Sequence, residues 1–99
     1  MSIPRSVSIG GIRFTIKLKK LSDDEFGRVI FDTREIQVNK NLKDEPLAIY
    51  ETIRHEMIHA ALDVSGLGFA RRFDEEAVVR AIETIFFPAW ERIQPKIQP

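Results

Sequence analysis

The sequence predicts an α+β domain, a small N-terminal antiparallel sheet of three to four strands followed by two packed helices. Three observations carry this reading. Apolar residues alternate strictly from Ile12 to Leu18, and again at Ile36 and Val38, which is the period of a half-buried strand. From Leu47 to Val64 they recur at steps of three and four, the period of one helix face. After Asp74 helical spacing returns through Val78, Val79, Ile82, Ile85 and Phe86. The sheet should span about 5–40 and the helices about 44–65 and 74–92, all in one domain of residues 1–99.

Taken in order, Val7 and Ile9 precede Gly10-Gly11, a pair suited to a two-residue hairpin turn that needs positive φ. In the next strand Arg13, Thr15 and Lys17 lie on the face opposite Ile12, Phe14, Ile16 and Leu18. Ser22-Asp23-Asp24-Glu25 reads as a polar turn. Residues 27–31 and 35–39 read as two further strands joined at Asp32-Thr33-Arg34. The strand at 35–39 is a candidate free edge for an extended peptide, with Gln37 and Asn39 on its exposed side. Asp44 is placed to cap the first helix and Pro46 to occupy its first turn, where a missing N–H costs nothing. Leu47, Tyr50, Ile53, Met57, Ala61 and Val64 form its apolar stripe, and Ser65-Gly66 ends it. Asp74 caps the second helix, Glu75 and Glu76 favour its N-terminal dipole, and Pro88 should end or kink it.

Composition narrows the function. There is no cysteine, so disulfides, cysteine metal sites and cysteine nucleophiles are excluded. Fifteen basic and fifteen acidic residues balance, and neither half of the chain carries a field suited to nucleic acid or an anionic membrane. The longest apolar run, Ile85 to Trp90, is too short to span a bilayer, and the N-terminus lacks the apolar core of a secretion signal. A cytoplasmic location is the default expectation.

The chemistry lies in His55-Glu56-Met57-Ile58-His59. Four residues make slightly more than one helical turn, so both imidazoles leave the same face and can grip one divalent ion. Bonds of about 2.0–2.1 Å suit zinc. Glu56 sits beside the pair, placed to take a proton from water at the ion and pass it to a leaving amine. This is the zinc-peptidase pattern, and it uses both histidines of the chain. A catalytic zinc takes three protein ligands, and here the third must be acidic. Glu75 and Glu76 open the second helix and are the candidates; Glu76 lies on a flank shared with Glu83, while Glu75 is nearer the centre of the apolar face.

Residues 55–67 together with 75–82 resemble the small gluzincin-like proteins of phages and prophages, and the minigluzincins, single-domain relatives of thermolysin-type metallopeptidases. The resemblance implies zinc-dependent peptide hydrolysis with one Zn²⁺ held by His55, His59 and Glu76, Glu56 as general base, and a peptide or protein substrate. Glu76, followed by Val79 and Arg80, fits the family pattern better than Glu75. Arg80 departs from it, because the residue four after the glutamate often accepts a hydrogen bond from a histidine ligand. Asp63, four after His59, is either such an acceptor or a solvated helix-end carboxylate.

The alternative function is a catalytically silent, zinc-stabilised phage accessory or interaction protein, the metal supplying folding energy to a small core. Tyr50 reads as a core or rim residue, and Arg71 and Arg72 as loop charges. Phe69, Phe73, Phe86, Phe87 and Trp90 read first as packing beside the second helix, with any exposed remainder available to a partner or to a second copy in a dimer.

Overall fold

The computed structural model describes residues 3–65 and 74–91. Four strands come first: β1 (Ser6–Ile9), β2 (Ile12–Lys19), β3 (Gly27–Ile30) and β4 (Glu35–Asn39). A short 3₁₀ turn, Lys40–Leu42, leads to helix α1 (Pro46–Val64), and helix α2 (Glu75–Ala81) continues through a π-helical segment, Ile82–Phe86, to residue 91. The expected sheet-then-helices layout is therefore present.

The β1–β2 hairpin turns on Gly10 and Gly11, with φ of 58° and 81°, as the paired glycines predict. The strand order is β1-β2-β4-β3, and the central β2–β4 pair is parallel, with Ile16 opposite Ile36 and Leu18 opposite Val38. The sheet is thus mixed rather than wholly antiparallel. Strand β4 owes its central place to Ile36 and Val38, both fully buried. Segment 20–26 carries the chain past the slot that β4 later fills, so β3 becomes the outer strand. The expected peptide-binding edge at 35–39 is therefore interior, with Gln37 and Asn39 both buried.

Asn39 holds that crossing segment. Its amide donates to the carbonyls of Ser22 and Glu25 at 3.0 and 2.7 Å, while its own oxygen accepts from the Asn41 N–H. On the outer face of the sheet Arg28 donates to Gln37, Gln37 to Glu35, and Lys17 pairs with Glu35, so the strand polar groups satisfy one another.

Helix α1 lies on the inner face. Ile9, Phe14, Ile16, Ile36 and Ala60 form one core cluster, joined by Ile53, Met57 and Val64; Val38, Leu42 and Ile49 form a second. The stripe is rotated from the expected one. Leu47 and Tyr50 are 68% and 56% exposed and Ala61 is exposed, while Ile49, Thr52, Glu56 and Ala60 are buried. The cause is that α1 packs on two partners, the sheet and α2, so its buried arc includes polar positions that hydrophobic spacing does not mark. The cap differs too. Glu45, not Asp44, is the N-cap and makes no side-chain hydrogen bond, with Pro46 opening the helix. Ser65 closes α1, its hydroxyl donating to the Leu62 carbonyl; Gly66, the connection through Phe73 and the tail beyond 91 lie outside the described residues.

Asp74 caps α2 as expected, accepting from the Ala77 N–H at 3.1 Å. Pro88 does not end the helix. It has no N–H for the Thr84 carbonyl, and the helix widens ahead of it, with the Phe87 N–H donating to Ile82. Within and after that widened turn Ile85 and Phe86 are 69% and 55% exposed, against the expectation that they pack inward. Phe87 instead faces the Arg54 guanidinium, 4.4 Å from the ring centroid. Among the described residues no helix is long and apolar enough to cross a membrane.

Gly27 fixes how closely β3 approaches α1. A Cβ there would lie 2.6 Å from the Thr52 methyl and 2.7 Å from the Gln37 carbonyl oxygen. We expect Gly27→Ala to cost about 1–3 kcal/mol, the usual penalty of overfilling a packed site. The measure is a lower denaturation midpoint at unchanged slope; an unchanged midpoint would mean that β3 and α1 separate without cost.

Candidate metal centre

The site is assembled where α1 passes beneath the outer strand and meets the start of α2. His55 and His59 leave α1 one turn apart, with ring centroids 5.0 Å apart. Glu75 and Glu76, on the first turn of α2, both reach His59: Glu75 contacts Nδ1 at 2.5 Å and Glu76 contacts Nε2 at 2.8 Å. Glu83, on the π segment, contacts Nδ1 of His55 at 2.9 Å.

These contacts sort the carboxylates by role. An ionised carboxylate can only accept, so the tautomer that suits the contacts of Glu75 and Glu83 has the proton on Nδ1. The lone pair is thereby directed to Nε2, as a metal-ligating imidazole requires. For His59 both nitrogens face carboxylates, which demands a proton on each or a cation in place of one. His55, His59 and Glu76 offer ligand atoms that all lie within 4.8 Å of one another. A tetrahedral zinc spaces its ligands about 3.3 Å apart. The 2.8 Å separation of His59 from Glu76 and the 4.8 Å limit bracket that spacing, so the set fits one such ion after small side-chain shifts.

The geometry therefore brings together His55, His59 and Glu76, and places Glu75 behind His59 rather than beside Glu76 in the cluster. Asp63 makes no hydrogen bond to His59 among the described residues; Glu75 takes that place. The acceptor that Arg80 cannot provide comes for His55 from Glu83, one further turn along. Sequence reading put Glu83 on the flank of Glu76 but gave it no role; the seven-residue spacing, two turns on one face, was the available signal. Arg54 was also missed. Its guanidinium lies over Phe87 and bonds Glu91 at 3.2 Å, tying α1 to the far end of the second helix. Tyr50 is a rim residue under Arg54 and lines neither cavity beside the site.

Glu56 is 8% exposed and makes no hydrogen bond among the described residues. It borders two openings. One is a cleft of about 790 Å³ running from His55 toward the start of α1, bounded by Phe26, Leu47 and Glu51. The other is a groove of about 310 Å³ on the opposite side, bounded by Val29, Phe31, His59 and Glu76. Burial pushes the Glu56 carboxyl above the ordinary carboxylate range; Glu76 and Glu83 push the same way, and the two imidazoles partly oppose them. A base so placed holds a proton more readily than a solvated carboxylate does.

Comparison with family models, with curated proteins and with solved structures finds no match for this chain. The site is read on its own geometry.

The raised Glu56 value has a consequence for stability. The folded chain binds this proton more tightly than the unfolded chain does, so stability falls as pH rises from the ordinary carboxylate value through the raised one. In metal-free protein Glu56→Gln should remove that loss. We expect the variant to be more stable than the parent at neutral pH and the gap to close as pH falls below the carboxylate range, read from paired denaturation curves. A gap that does not change with pH would show that Glu56 is not held in this environment.

Proposed function

We propose that the chain is a zinc-dependent metallopeptidase of the small gluzincin-like kind, with His55, His59 and Glu76 as ligands and Glu56 as general base. The observation that carries the reading is the convergence of three ligand atoms within 4.8 Å beside a buried carboxylate that has no partner among the described residues and faces an open cleft. Zinc bound there would polarise a substrate carbonyl and acidify a water. Glu56 takes the proton of the attacking water and delivers it to the departing amine. Its burial favours the first half of that task, because it raises the proton affinity of the carboxylate. Glu75 and Glu83 hold the two imidazoles in one tautomer and one orientation.

Strand β3 suits the substrate. It is one of the two edge strands of the sheet, with Gly27 bordering both openings beside Glu56 and Val29 the smaller one. An extended peptide adding to that edge would lay a backbone carbonyl across His55 and Glu56.

Zinc titration against a competing chelator should give one ion per chain. Glu75→Ala and Glu83→Ala should each weaken binding by about 10–100-fold, the usual effect of removing a histidine's supporting carboxylate, and Glu76→Ala should weaken it further. A larger loss in Glu75→Ala than in Glu76→Ala would exchange the two assignments.

With zinc retained, Glu56→Gln should cut peptide cleavage by about 10²–10⁴-fold, the span typical of a lost general base. Cleavage at the parental rate would falsify the role of Glu56. A zinc-loaded parent that cleaves nothing in a diverse peptide library would leave the ion a folding role alone.

A further inference from the structure

The larger opening has a chemical bias that the smaller one lacks. Of the described residues around it, Asp24, Glu25, Glu45, Glu51, Glu56 and Glu83 are acidic, and none is a lysine or arginine. The groove beyond His59 includes Arg28. The side chains of Glu45 and Glu51 make no hydrogen bond or ion pair among the described residues, and Glu51 is exposed. Glu56 borders the same space nine-tenths buried, its carboxylate without a hydrogen-bond partner among the described residues. The N-terminus of α1 also faces this cleft and opposes the bias. Its effective charge is about +0.5, well short of offsetting six carboxylates.

The walls between the carboxylates are apolar. Phe26 is 64% exposed and Leu47 is 68% exposed, on opposite sides of the cleft, with Pro46 and Ala48 beside Leu47. Apolar walls rimmed by carboxylates match a side chain with a long aliphatic stem and a cationic head. Segment 22–26 supplies one wall and is pinned by Asn39, so the cleft is set by the fold rather than formed around a ligand.

The geometry points to a cationic specificity pocket: the cleft between segment 24–27 and the first turns of α1 receives an ammonium or guanidinium group of the substrate, on one side of the bond being cut. This inference rests on the peptidase reading of the adjoining centre. The cation could be a lysine or arginine side chain or a free N-terminal amine, since both present the same charge to the carboxylates.

The test separates these sources, and separates this inference from the reading beneath it. Binding is measured by fluorescence anisotropy on zinc-supplied Glu56→Gln protein, which keeps the other five acidic residues of the cleft but should not cleave. The probes are an acetylated peptide with arginine near its centre, the same peptide with glutamate there, and a neutral peptide with a free amine. We expect the arginine peptide to bind about tenfold or more tightly than the glutamate peptide, in the way that electrostatic complementarity discriminates between partners. Adding Glu45→Lys and Glu51→Lys together should abolish the preference. Asp32→Lys, on the β3–β4 turn outside the cleft, should leave it intact. If the free-amine peptide matches the arginine peptide, the cation recognised is the terminal amine. Equal binding of the arginine and glutamate peptides, or a preference that survives the double reversal, overturns the inference. Failure of the peptidase reading shows separately, as absence of cleavage of every probe by the parent protein.

Discussion

Two imidazoles and three carboxylates form the joint between the helices. Beyond it α2 buries only Val79 completely, and the Ile85 and Phe86 side chains face outward. An apolar seam therefore does not set how α2 sits on α1. The contacts of Glu75 and Glu76 with His59, and of Glu83 with His55, set it, supported at the far end by Arg54 on Phe87 and Glu91. Carboxylates gathered so closely repel unless positive charge lies between them. A divalent ion held by His55, His59 and Glu76 would answer that need. The same ion would then fasten α2 to the domain and supply the chemistry, which joins the catalytic and the zinc-stabilised readings in one contact.

The other half of the site depends on the sheet. With β4 buried in the middle, β3 is left outermost and close to α1, and Gly27 permits an approach that any side chain would prevent. Asn39, at the end of β4, reaches back to the segment that precedes β3 and fixes it with two donated bonds. Interior position, outer strand and cleft wall thus follow from one topological fact: the chain crosses β4's place before filling it.

That fact is what sequence reading could not supply. Alternation tells which face of a strand is buried, and it did so correctly for Phe14, Ile16, Ile36 and Val38. It carries no information on which strands are neighbours, so the parallel pairing and the interior place of residues 35–39 were invisible. The metal motif was legible because its geometry is local: four residues along a helix suffice to align two imidazoles. The choice between Glu75 and Glu76 was not, because it depends on how one helix is rotated against another. Adjacent positions on α2 lie about 100° apart, and His59 turns out to lie between them, with one nitrogen toward each. Helical spacing of apolar residues failed for Leu47, Tyr50, Ile85 and Phe86 for a related reason. A helix packed between a sheet and a second helix buries polar residues, Thr52 and Glu56 here, and leaves some apolar ones outside.

Charge teaches the same lesson at larger scale. The chain is neutral overall, and its halves are nearly balanced, which argued against any dominant field. Folding segregates what composition averages. Lys17 and Arg28 are drawn to the outer face of the sheet by Glu35 and Gln37, while acidic side chains from segment 24–25, the start of α1 and the π segment collect around one opening. Even with a doubly charged ion at the histidines, ionised Glu75, Glu76 and Glu83 would leave the centre anionic. An electrophile surrounded by negative charge draws a substrate that brings its own positive charge, and the cleft beside Glu56 is where that charge can be placed.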